Sequence, residues 1–149
     1  MPLHAQSVSL KDIEAAHERI KTSVMRTPLV PLNIEDSKRK GLAWNAKQLS
    51  LPCQIVMPDH APESKIRPTL AMGATVTKVP FDQWWDVLVH KKYKDFNGTF
   101  IHPVSEPSVI AGNGTIGLEI LDDLPEVDSI VVPYGGGGLS SGIALAARA

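Results

Sequence analysis

Four consecutive glycines, Gly135 to Gly138, follow the apolar run Ser129-Ile130-Val131-Val132-Pro133-Tyr134 and lead into Leu139-Ser140. Glycine lets the backbone turn its N–H groups toward one point and lets a ligand approach with no Cβ in the way. A helix starting behind such a loop adds a dipole and unpaired donors, and the combination is a cradle for a phosphate. The alternative is a plain flexible turn, for which four glycines carry a large entropic cost. The loop lacks the Lys-Ser/Thr ending of a P-loop, which argues against an ATPase or GTPase.

Two other features resemble chemistry at first sight. Gly112-Asn113-Gly114-Thr115-Ile116-Gly117 fits G-x-G-x-x-G by letter. A dinucleotide fingerprint must follow a strand and be answered by an acidic residue at the end of the next one. Here Pro103 to Ala111 holds two prolines and no strand-like run, and no acid follows Val131-Val132. The expected structure is a helix whose small residues allow close packing, which argues against NAD. The single cysteine, Cys53, lies in the apolar run Cys53 to Met57 and reads as a buried strand residue, with no partner for a disulfide or a metal.

The elements that position the glycine loop alternate. A first helix is capped by Ser9 with Asp12 three residues on, and Leu10, Ile13, Ala16, Ile20 and Val24 share one face until Thr27-Pro28 ends it. Strands are predicted at Cys53 to Met57, Ala74 to Val79, Thr99 to Ile101 and Ser129 to Val132. Helices are predicted at Gly41 to Leu49, Glu63 to Met72, Asp82 to Tyr93, Ser108 to Leu121 and from Leu139. Pro68 inside Glu63 to Met72 implies a kink or a later start. The alternation predicts βαβ units, an α/β fold with a parallel sheet and flanking helices. No strand precedes the helix Gly41 to Leu49.

In order along the chain, several segments resemble the serine/threonine dehydratase family (threonine ammonia-lyases and serine racemases) of fold-type II pyridoxal-phosphate (PLP) enzymes. They are Asp12-Ile13 with Arg26-Thr27-Pro28-Leu29, Val56-Met57-Pro58 with Ala61-Pro62 and Lys65, and Met72-Gly73-Ala74. His102-Pro103 with Ile110 to Thr115 and Glu119-Ile120 follows, with Asn113 in place of a usual Gln, and then Gly135 to Leu139. The resemblance implies a tryptophan synthase β-like fold and PLP as cofactor. It also implies β-elimination of hydroxy amino acids such as serine or threonine to a keto acid and ammonia. It assigns Gly135, Gly136, Gly137, Gly138 and Leu139 as backbone donors to the cofactor phosphate.

The same comparison implies a loss. The family's lysine, in an S-F-K-x-R-G segment after the R-T-P-L turn, and its S-x-G-N-H loop have no counterpart. Pro31 to Ser37 runs through Lys38-Arg39-Lys40-Gly41 directly into Leu42 to Lys47. The junction is placed near 38–41, dividing the chain into an N-terminal helix and extended segment (1–40), the remnant of a small α/β domain (41–95) and the start of a large phosphate-binding domain (96–149). Lys65, in Ser64-Lys65-Ile66-Arg67, is expected on the surface, and Lys38 and Lys40 in a solvated charge run. No catalytic residue is assigned and covalent attachment of PLP is not expected. The chain reads as an internally deleted, C-terminally truncated and inactive dehydratase. The alternative is a non-catalytic remnant that binds phosphate or PLP weakly, or serves as partner subunit of a full-length relative.

Composition bounds the rest. The 149 residues suffice for one domain, and 43% hydrophobic with 21% charged residues is ordinary for a globular protein. With 15 Lys plus Arg against 16 Asp plus Glu, the net charge is −1, and no basic face points to nucleic acid or membrane. No signal core or membrane span is read, so the two Asn-Gly-Thr triplets, at Asn97 and Asn113, are taken as coincidence. The cytoplasm is the expected location, or a plastid or mitochondrion if a presequence is missing. Homo- or hetero-oligomers are expected by analogy with the family.

Overall fold

The structure is a computed structural model that describes residues 8–22, 42–94, 96 and 98–148. They fall into two compact units, one drawn from Met1–Asn33 and Ile101–Ala149, the other from Ile34–Phe100.

In the first unit, helix α1 spans Leu10–Ile20. Ser9 Oγ accepts the Asp12 N–H at 3.4 Å, and Asp12 Oδ2 accepts the Ser9 N–H at 2.8 Å and its hydroxyl at 2.6 Å. This capping box closes two orphan donors reciprocally. The donors from Ser9, side chain first, hold the Asp12 carboxyl below the usual carboxylate range. A carboxyl depressed in the folded state stabilises above its unfolded pKa, and that contribution is lost as pH falls through the folded value. Ser9→Ala is expected to lower stability by about 1 kcal/mol in urea unfolding at neutral pH, with a smaller difference in acid. The continuation expected through Val24 lies outside the described residues.

Ile13 is fully buried and Ala16 nearly so, in a cluster with Ala111 and Ala146. These last two come from α5 (Pro107–Asp123) and α6 (Gly138–Ala147). The three helices meet through residues with little or no side chain. A Cβ at Gly114 would stand 2.7 Å from Ile13 Cδ1, and one at Gly117 2.8 Å from the Ala146 Cβ. The G-x-G-x-x-G letters are therefore helical, and Gly114 and Gly117 serve close packing as expected.

The second unit holds α2 (Leu42–Gln48), β1 (Gln54–Pro58), α3 (Glu63–Ala71), β2 (Thr75–Val79) and α4 (Phe81–His90). β1 and β2 pair in parallel, Gln54 opposite Thr75 through Pro58 opposite Val79, with α3 as the crossover. The Thr75 N–H to the Cys53 carbonyl (2.9 Å) and the Asp59 N–H to the Val79 carbonyl (2.8 Å) extend the ladder at both ends. Helix α3 begins at Glu63 in spite of Pro68, whose ring offers no N–H to the Ser64 carbonyl. Cys53 corrects its expectation. It lies half-buried just ahead of β1, and burial pushes its thiol pKa up.

The α/β architecture with a small parallel sheet stands, but two strands do not form. Among the described residues the sheet stops at β1 and β2, and Thr99–Ile101 and Ser129–Val132 belong to no ladder. Their composition is that of strands, but a strand needs a neighbour to take its N–H and C=O groups. Val131 is 97% exposed as a result.

Candidate functional site

The glycine loop joins segment 127–134, which belongs to no sheet, to α6. Gly135 and Gly136 are exposed, Gly137 is half-buried and Gly138 is buried at the first position of the helix. Gly137 is the N-cap and has φ +90°, a conformation that a Cβ disfavours. The loop has two different sides. A Cβ at Gly135 or Gly137 would meet nothing within 4 Å, whereas one at Gly136 would collide with the Val104 side chain, and one at Gly138 would lie 2.9 Å from the Val104 carbonyl oxygen. One side is thus open, and the other rests on residue 104.

The α6 terminus has no side-chain cap and no acidic residue in its first turn. Ser140 Oγ turns inward and donates to the Gly137 carbonyl at 3.1 Å, and the Ser141 N–H closes the first helical bond on the same carbonyl at 2.9 Å. The N–H groups of Gly138, Leu139 and Ser140 precede that bond and have no acceptor within the helix. They project with the positive end of the helix dipole. This arrangement suits an anion with several acceptor oxygens.

Beneath the loop, the turn 102–105 is organised by His102, which is 5% exposed. Its Nδ1 accepts the Val104 N–H at 3.1 Å and the Ser105 N–H at 3.0 Å. Ser105 Oγ is buried, and among the described residues no hydrogen-bond partner faces it. In the sequence His102-Pro103 stands out only as part of a family signature, and Val104 not at all. The one local signal was a histidine just ahead of a proline turn.

Behind the loop a cleft of about 470 Å³ opens along Leu121, Val127, Ile130, Val132, Ser140 and Ile143. It lies where Ser129–Val132 finds no neighbouring strand. Lys65 is exposed on α3, as expected, beside an exposed ion pair of Arg67 with Glu63 at 3.4 Å. In the unit of the glycine loop the described lysines are Lys11 and Lys21, both exposed on or next to α1. Lys38 and Lys40 lie outside the described residues. Among the described residues no three His, Cys, Asp or Glu side chains gather as a metal site, and no helix is long and apolar enough to cross a membrane.

This geometry has counterparts in known proteins. Residues 40–149 match the family model of pyridoxal-phosphate dependent enzymes. The L-threonine ammonia-lyase of Thermotoga maritima is 45% identical over 111 residues, covering 73% of this chain and 27% of that protein. The catabolic L-threonine dehydratase of Staphylococcus aureus is 34% identical over 193 residues, covering 97% of this chain and 56% of that protein. The structure of maize serine racemase superposes with a TM-score of 0.75 at 27% identity, over 95% of this chain and 57% of that one. The chain thus spans between about a quarter and just over half of the length of these relatives. The family match takes in α2 to α6 and the whole glycine loop, and the chain belongs to the family of pyridoxal-phosphate dependent enzymes.

Proposed function

We propose that this chain is a threonine/serine dehydratase-like protein in which Gly135 to Leu139 hold the phosphate of PLP, while the covalent anchor of the cofactor is missing. The observation that carries the first half is the open glycine turn at an uncapped helix N-terminus. When bound, PLP supplies the electron sink for β-elimination of a hydroxy amino acid to a keto acid and ammonia. The residues fit its phosphate end. The open sides of Gly135 and Gly137 admit the group, the amides of Gly138 and Leu139 donate to it, and no carboxylate in the first turn of α6 opposes it.

The second half is supported by the lengths of the alignments. The match with the Staphylococcus dehydratase spans 193 residues, more than the 149 of this chain, so at least 44 positions of that relative have no counterpart here. The family match begins at residue 40, within the junction read from the sequence. A lysine that attacks the cofactor carbonyl must be held beside it, and neither Lys11 nor Lys21 is enclosed. On this reading the chain retains cofactor by its phosphate alone and lacks dehydratase activity. A second reading, a subunit that docks on a full-length relative, draws on the unpaired Ser129–Val132 segment, whose backbone could add to another sheet.

Titration calorimetry with inorganic phosphate and with PLP tests the cradle. Gly135→Asp places a carboxylate on the open side of the loop, at a glycine with room for a Cβ and no positive φ, where it repels an anion. The variant is expected to keep its helical circular dichroism and to bind both ligands at least about tenfold more weakly, on the order of 1.4 kcal/mol. Unchanged affinity would remove the glycine loop from the site.

A further inference from the structure

We propose that His102 is a positioning residue for the phosphate cradle, acting through Val104 as a neutral imidazole with its proton on Nε2. The inference rests on the reading of Gly135 to Leu139 as the phosphate site.

The tautomer follows from the donors. The Val104 and Ser105 backbone N–H groups both point at Nδ1, at 3.1 and 3.0 Å. A backbone amide can only donate, so Nδ1 must present its lone pair and the ring proton must sit on Nε2. The ring is 5% exposed, so no solvent molecule takes its place. Pro103 fixes its own φ between the imidazole and the two amides it binds. The backbone from 102 to 105 is thereby closed into a turn of one shape.

That shape is transmitted without slack. The Cβ and Cγ2 of Val104 would lie 3.0 and 3.1 Å from a Cβ at Gly136, and its Cα and carbonyl oxygen 3.1 and 2.9 Å from one at Gly138. The two glycines therefore sit directly on residue 104. Gly138 also opens α6 and carries one of its unpaired amides. A shift of Val104 displaces the floor of the loop, and with it the directions of the N–H groups that converge on an anion. The position of the histidine thus matters to the cradle although nothing requires its ring to touch the ligand.

Two substitutions separate the positioning role from bulk. In His102→Asn the side-chain oxygen occupies the place of Nδ1, the same number of bonds from Cβ, and can accept the same amides. In His102→Gln the polar group sits one methylene further out, near the place of Nε2. With inorganic phosphate as the probe and the full chain in solution, the Asn variant is expected to bind within about threefold of the wild type. The Gln variant should bind about tenfold more weakly, the scale of losing a pair of hydrogen bonds. Equal binding by wild type and Gln variant would overturn the proposal while leaving the cradle in place. A wild-type chain that binds no phosphate would overturn the cradle and the proposal together. Nitrogen-15 NMR of the wild-type imidazole gives a readout that needs neither variant folding nor ligand. A bare Nδ1 with a protonated Nε2 supports the proposal, and a proton on Nδ1 contradicts it.

Discussion

Ile13→Ala is expected to lower the unfolding free energy by about 2–5 kcal/mol, the range for truncating a buried aliphatic side chain. Ile13 has no exposed surface and stands at the centre of the cluster with Ala16, Ala111 and Ala146. The alanines are too small to reach into the space left behind, and Val8, Leu118 and Leu145, packed against the cluster, set how far the site collapses within that range. The position opposite is Gly114, where a Cβ would approach three Ile13 side-chain carbons at 2.7, 2.8 and 3.0 Å. In the wild type, Gly114→Ala therefore presses α1 and α5 apart. In the Ile13→Ala background the added methyl enters vacated space, and alanine is the better helix former by about 1 kcal/mol. The double variant should be more stable than Ile13→Ala alone. Chemical denaturation of all four proteins would show the non-additivity expected of side chains in direct contact. Strictly additive effects would mean that α1 does not sit against Gly114.

Gly142→Ala is the second change with a large expected effect, and its mechanism differs. Gly142 is buried where α6 crosses α5. A Cβ there would overlap the Ile110 carbonyl oxygen and lie 2.7 Å from the Gly114 amide nitrogen. Both are backbone atoms of a helix, so neither can rotate away as the end of a side chain could. The two helices must separate, with loss of the Gly117–Ala146 contact nearby. Overpacking of this kind costs about 1–3 kcal/mol, more than alanine returns through helix propensity. The expected result is a lower melting temperature together with weaker phosphate binding, since α6 carries the amides of the proposed cradle. Gly112→Ala, a helical glycine of α5 with nothing within 4 Å of its Cβ position, is the control and should be neutral or mildly stabilising.

These two residues show what the sequence could and could not convey. Helix positions were legible because their signals are local. Ser9 and Asp12 form the box that their spacing implied, and the small residues from Gly112 to Gly117 read as helical rather than as a nucleotide loop because no strand-like run precedes them. β1 and β2 were legible because the crossover α3 brings each to the other. Thr99–Ile101 and Ser129–Val132 have the same apolar composition and form no strand, since a ladder is a property of two segments. The glycine loop stood out through four like residues in a row. Its floor did not, because Val104 meets Gly136 and Gly138 only through the fold, and no pattern around His102 announces which amides its ring will accept. The lysine that would anchor the cofactor was readable only as a segment without a counterpart.

Trapping with borohydride is the decisive test of the proposed phosphate cradle without a covalent anchor. The purified chain is mixed with PLP, reduced and digested, and modified lysines are located by mass spectrometry. Scattered, substoichiometric labelling of exposed lysines is expected, unaffected by serine or threonine. Stoichiometric labelling of one lysine, Lys38 and Lys40 included, with competition by either amino acid, would contradict the proposal and identify a working anchor.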